Sequence, residues 1–167
     1  RDDVESRGLG DVYKRQVFTT EKINYDKTAV VWVDNRNYNG SFFVRCGDTD
    51  EEPEIATGYN TIPFYDKMLP FGLSFSVYED TPFVNKVYLD GVLLESKSEY
   101  SGWYENMDVK DKSVIKVFIF EEPVNCNVTF NAPESLEATV TYDRVKTLDK
   151  LADGLACFKG TEVAIEG

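Results

Sequence analysis

The chain has 167 residues, 42% hydrophobic and 14% aromatic, a formal net charge of −12 and no histidine. That acidity repels phosphate backbones and anionic headgroups, which argues against nucleic acid and anionic membrane as partners. Without imidazole there is no Ser-His-Asp or Cys-His arrangement, no usual proton-transfer group near neutral pH, and most zinc sites are gone. No apolar run approaches the ~20 residues a membrane-spanning helix needs, so no membrane insertion is expected.

Residues 1–16 do not read as part of a fold. The run from Ser6 to Gln16 back-translates in a single frame into a transposase-type sequencing adapter. Arg1 to Glu5 fit the primer end and index that precede such an adapter. This leader is expected to be a disordered artefact, with Val17 as the first biological residue. It holds four basic and four acidic residues, so trimming leaves the charge unchanged. About 150 residues remain, enough for one ordinary domain or one and a half small ones.

Short β-prone runs broken by turn residues dominate the chain beyond the leader. Residues 28–33 form a run of Val, Ala and Trp, and Trp32 is expected in the core. Asn39 and Gly40 then supply a tight turn, since both tolerate φ > 0, which makes 41–46 the expected hairpin partner. Residues 48–54 are an acidic, proline-containing loop, and 59–64 resume an extended pattern. In 72–78, Leu73, Phe75 and Val77 alternate with Ser74 and Ser76, the period of a half-buried strand. Residues 84–89 lead through Asp90-Gly91, another hairpin turn, into 92–94. Residues 113–120 are apolar on both faces apart from Lys116, which predicts a central strand.

Glu121, Glu122 and Pro123 end that strand and mark a module boundary, giving a first β module over 17–122 and a second over 123–167. The pattern then restarts: 126–131 resembles 29–33, 136–143 matches the partner strand 41–46, and 160–165 echoes the strand after Gly58. Such ordered repetition suggests a tandem array, with the second module truncated. Leu148, Leu151 and Leu155 give the only helical spacing, worth one or two turns. The expected fold is therefore all-β, with tandem small β-sandwich or β-grasp-like modules.

Residues 58–64, Asp90-Gly91 and the strand 114–120, with 128–131 and 160–165, resemble repeat modules of large bacterial cell-surface proteins of the Bacteroidetes type. They are more loosely similar to the B-repeats of internalin-type adhesins. The resemblance implies a secreted or cell-surface location, a spacer or adhesive role, neighbouring repeat modules as partners, and no catalytic residues. The segment 95–112 departs from a minimal repeat.

Three groups of residues carry candidate chemistry. Tyr100, Trp103 and Tyr104 lie in a polar stretch, where exposed flat rings can stack on sugars through their apolar faces; core or edge packing is the preferred reading. They are the candidate ligand-binding residues, and a glycan or a surface protein is the expected partner. Asp48, Asp50 and Glu52 are weak metal candidates, because hard cations take carboxylate oxygens. The loop lacks the glycine and distal glutamate of an EF-hand, so a solvated charge run is the preferred reading and no cofactor is expected. Cys46, Cys126 and Cys157 are too far apart in sequence for a CxxC site. They fit either one disulfide plus a thiol or three buried thiols, and the second is preferred. With 26 acids beyond the leader, no carboxylate pair singles itself out for glycoside hydrolysis. The expectation is a non-enzymatic structural or adhesive repeat region, with a carbohydrate-binding accessory module of a polysaccharide-degrading enzyme as the alternative.

Overall fold

A computed structural model of the chain describes residues 22–34, 40–77, 85–98 and 101–167. The leader 1–16, Asn39, Val84 and Tyr100 lie outside the described residues. The fold is all-β. In chain order the strands are β1 (Lys27–Asp34), β2 (Gly40–Cys46), β3 (Gly58–Phe64), β4 (Phe71–Val77), β5 (Asn85–Leu89), β6 (Val92–Leu93), β7 (Gly102–Met107), β8 (Val114–Ile119), β9 (Asn125–Val128), β10 (Thr139–Tyr142), β11 (Lys146–Thr147), β12 (Leu155–Phe158) and β13 (Val163–Glu166). Only 3-10 turns at Asp66–Met68 and Leu151–Asp153 interrupt them among the described residues. No helix there is long and apolar enough to cross a membrane.

Strands β1 to β8 make two sheets, one ordered β3-β1-β8-β5-β6 and the other β2-β4-β7. Their inner faces share one core. Val31, Ile62, Phe64, Val87, Ile115 and Val117 come from the larger sheet, and Val44, Phe71, Leu73, Phe75 and Tyr104 from the smaller. Phe64 meets Phe71 edge-on at 5.3 Å, and Phe42 stacks on Phe75 at 5.8 Å. Each fully buried aromatic or aliphatic side chain contributes about 1.5–3 kcal/mol over leaving it in water. Strands β1 to β8 thus form a β-sandwich, in which two sheets cover each other and no helix is needed.

Alternation decides most of this. In β4, Phe71, Leu73 and Phe75 are buried while Gly72, Ser74 and Ser76 lie on the outer side. β8 is apolar on both faces and sits between β1 and β5, as its composition predicts. The β5–β6 hairpin also follows the sequence: Asp90 (φ 47°) and Gly91 (φ 82°) both take the left-handed region that a two-residue turn requires.

The expected hairpin between 28–33 and 41–46 does not form. β1 pairs antiparallel with β3 and parallel with β8, while β2 pairs with β4 in the other sheet. The reason is burial: Val30, Val31 and Trp32 are all covered, so β1 takes an interior place in its sheet with both ladder edges filled. An edge hairpin would leave one of those edges open. A bulge between β4 and β7, with Asn106 at φ 54°, keeps both Tyr104 and Met107 inward.

Strands β9 to β13 form a β9–β12 ribbon and a β11-β10-β13 sheet. Their pairing does not reproduce that of the first half. β1 pairs with β3, whereas β9 pairs with β12 and β13 with β10. The leucine spacing yields one short turn, the 3-10 segment Leu151–Asp153, at the lower end of the one or two turns expected. Leu148 donates its N–H to Val140 O, Leu151 opens a 3-10 turn, and Gly154 (φ 66°) redirects the chain so that Leu155 starts β12. Beyond residue 120 the buried apolar side chains are Val140 and Leu155. So small a core cannot hold a segment of this size by itself.

Candidate functional site

Trp103 and Tyr104 are neighbours on β7, so the pleat sends them to opposite faces. Tyr104 is 3% exposed, packs near Phe75, and donates its hydroxyl to Asn85 Oδ1 at 2.7 Å. Burial pushes its phenol up to about 12. It is a core residue, packed inward as the preferred reading has it, and so drops out of the candidate ligand face. Trp103 is 49% exposed. Its backbone is pinned from both sides, the N–H donating to Ser96 Oγ (3.1 Å) and the carbonyl accepting from Lys97 N–H (2.6 Å).

The ring that joins Trp103 on the outer face is Phe43, 52% exposed. Phe43 lies opposite Ser74, and Ser74 opposite Trp103, so the three form one row across the small sheet. The two aromatics stand two strand spacings apart, about 9–10 Å, with only a serine between them. Arg45, Gly72, Ser74, Trp103 and Glu105 border a shallow depression of about 250 Å³ beside this row. The sequence held the signal for Phe43. Phe42 and Phe43 are adjacent on a strand, so one of them must face outward.

The acidic loop does not gather ligands. Among the described residues no three Asp, Glu or Cys side chains come together as a metal site, so Asp48, Asp50 and Glu52 do not converge. Thr49 Oγ1 instead donates to Cys46 O at 2.6 Å, and Glu51 accepts from the Tyr25 hydroxyl at 2.9 Å. Cys46 faces the core, and burial followed by the nearby Glu51 charge pushes its thiol up to about 11.

The densest polar chemistry lies where strands after residue 120 cover the outer face of the larger sheet. That face carries one row across the strands, Tyr59–Trp32–Lys116–Tyr88. Trp32 and Tyr59 stack at 5.3 Å and 7°. Trp32 is buried as expected, but its packing partners are here rather than in the core between the two sheets. Phe158, from β12, packs on Tyr88 (5.0 Å) and Phe118 (5.1 Å).

Asp143, 3% exposed, reaches into this row from the turn after β10. Its carboxylate lies 2.9 Å from Lys116 Nζ and accepts the Tyr59 hydroxyl at 2.6 Å. The same hydroxyl accepts the Glu162 N–H at 3.0 Å. The Lys116 ammonium also sits over the rings of Trp32 (5.5 Å) and Phe158 (5.4 Å). Burial, and then the Asp143 carboxylate, raise the Tyr59 pKa far above the usual phenol range.

Arg144 extends the clamp, lying over the Tyr59 ring at 5.5 Å, donating to Thr61 Oγ1 (3.2 Å) and pairing with Glu162 (3.3 Å). Asp143 (φ 50°) and Arg144 (φ 66°) both hold left-handed backbone, a strain that side chains other than glycine accept only when their contacts repay it. Gly160 lies so close that an added Cβ would meet Trp32 Cζ2 at 3.0 Å. A second polar link joins Asp90 to Lys146 at 3.2 Å. Asp90 also accepts from Ser113 Oγ (2.8 Å) and the Val114 N–H (2.9 Å). Burial raises the Asp90 pKa, but these three donors outweigh it and the net shift is downward.

Sequence reasoning missed this junction. Asp143 and Arg144 follow a strand like any solvated turn residues, and only Lys116, a charge inside an apolar strand, marked the place. Comparison of the chain with family models, curated proteins and solved structures gave no match.

Proposed function

We propose that this chain is a non-enzymatic structural segment of a secreted or cell-surface bacterial protein, in which successive β units are held in a fixed relation. The observation that supports it is the junction: a buried carboxylate shared by an ammonium between two rings and by one phenol, joining strands on either side of residue 120. A flexible linker would leave those groups in water. Here they are desolvated against each other, which favours one relative arrangement over many. Such a unit suits a role as spacer, carrying whatever lies beyond it at a defined angle. The test is backbone ¹⁵N relaxation on residues 17–167. Strands β1–β8 and β9–β13 should share one rotational correlation time in the wild type, and in Asp143→Ala residues 125–166 should instead gain fast local motion, since their own core is too small to hold them. Independent tumbling of the wild-type halves would overturn the reading.

The alternative, a carbohydrate-binding accessory module of a polysaccharide-degrading enzyme, is supported by a different observation, the exposed Phe43–Ser74–Trp103 row. Exposed rings flanking a small polar residue on a sheet face suit the apolar faces of a sugar chain. Glycan-array binding by the wild type that vanishes in Trp103→Ala and in Phe43→Ala would establish this reading. Binding unchanged by both would remove it.

A further inference from the structure

The two cysteines of the second half are far apart in sequence and directly opposed in space. Cys126 in β9 is the register partner of Cys157 in β12. Opposed residues of an antiparallel pair point to the same side of the ribbon. Lys159 donates its N–H to Val124 O at 2.8 Å. By the alternation of antiparallel ladders, Cys126 and Cys157 are therefore also a hydrogen-bonded pair, with Cα atoms ~5.5 Å apart. That lies inside the ~4.4–6.8 Å window of disulfides, while the Cβ atoms must approach somewhat beyond their ordinary cross-strand spacing. The ribbon has only two strands, and two-stranded ribbons accommodate extra twist. Both cysteines are partly exposed and line one cleft of about 620 Å³, together with Lys116, Asp143 and Phe158. Cys46 is buried in the sandwich core and takes no part.

We propose that Cys126 and Cys157 are a redox-active pair that closes to a cross-strand disulfide, stapling β9 to the strand that carries Phe158 into the junction. The oxidant is a small-molecule disulfide of the glutathione class. One cysteine, as thiolate, attacks a sulfur of the oxidant, forming a mixed disulfide and releasing one small thiol. The second thiolate then attacks the protein-bound sulfur, the Cys126–Cys157 bond forms, and the second small thiol leaves. The protein loses two electrons and two protons, and the oxidant is reduced to two thiols. Because the Cβ atoms must be drawn together, the bond stores strain and is reduced more readily than an unstrained structural disulfide. The junction then has an oxidised state, with Phe158 anchored next to a covalent bridge, and a looser reduced one.

The test treats the full chain with oxidised glutathione at mildly alkaline pH, then denatures it, alkylates free thiols and maps the peptides. The free thiol count is expected to fall from three to one, with a Cys126–Cys157 linked peptide and alkylated Cys46. Cys126→Ser should stop at the intermediate, carrying one glutathione on Cys157. Three free thiols in the wild type, a bridge that includes Cys46, or a Cys126→Ser chain without adduct would each overturn the proposal.

Discussion

Replacing Asp143 by alanine isolates the junction. The change leaves the Lys116 ammonium, 14% exposed, without its counter-ion between the Trp32 and Phe158 rings. Removing one partner of a buried ion pair costs about 3–5 kcal/mol, because the surviving charge stays desolvated. Tyr59, half-buried, also loses its acceptor, and a donor left unsatisfied there costs about 1 kcal/mol more. Two effects offset this. The ring faces keep about 1 kcal/mol of cation–π attraction, and the long lysine stem lets the ammonium turn toward water. The net loss is about 3 kcal/mol. For a chain of this size that lowers Tm by about 6–12 °C, which thermal denaturation followed by tryptophan fluorescence reads directly, since Trp32 lies in the junction. The double variant Lys116→Met/Asp143→Leu should recover most of the loss, because well-packed apolar replacements of a buried pair are close to neutral. A double-mutant cycle with Lys116→Met and Asp143→Leu should then give a coupling energy of about 2 kcal/mol. A loss below about 1 kcal/mol, or strictly additive singles, would refute the buried pair and with it the fixed junction.

Gly102→Ala would drive a Cβ into the Phe75 ring, which is held by Phe42 on one side and Tyr104 on the other. Overpacking of about 1–3 kcal/mol or more should appear as a lower urea midpoint, and wild-type stability would contradict the sandwich core. Asp90 has its pKa lowered in the fold, so its contribution is complete above the unfolded carboxylate value of about 4 and is lost as pH falls through the lower folded value. Asp90→Asn should flatten the acid limb of the stability curve, and an unchanged limb would count against its network with Val114, Ser113 and Lys146. Tyr59 has its pKa raised, so the contribution is complete below about pH 10 and is lost as pH rises further. Tyr59→Phe should lower stability at neutral pH by about 1 kcal/mol while weakening the alkaline decline, as measured by urea titrations at both pH values. Trp103→Ala removes a half-exposed ring and should leave Tm within a degree or two of wild type; a large drop would mean that the ring is structural.

The all-β class was legible because it rests on local chemistry. Alternation in 72–78 needs only the pleat, and the Asp90-Gly91 turn needs only two residues that accept positive φ. The double-faced apolarity of 113–120 places β8 inside a sheet wherever its neighbours come from. The expected hairpin between 28–33 and 41–46 failed because a turn signal does not name the sheet that the next strand joins. β1 and β2 separated into different sheets once β3 and β8, arriving later in sequence, filled both edges of β1. Trp103 and Tyr104 were visible as aromatics, but which of them faces water was set by the register of β7 against β4, and Phe43 joined Trp103 only through that same ladder. Asp143 and Lys116 became a pair for the same reason. Sequence determined the strands that alternate or run apolar and the turn at Asp90-Gly91, because those depend on residues a few positions apart, but it left β7 and β12 unassigned. Tertiary structure alone decided the sheet partners, the buried junction and the meeting of Cys126 with Cys157, because each joins groups whose contact exists only after distant strands have chosen their neighbours.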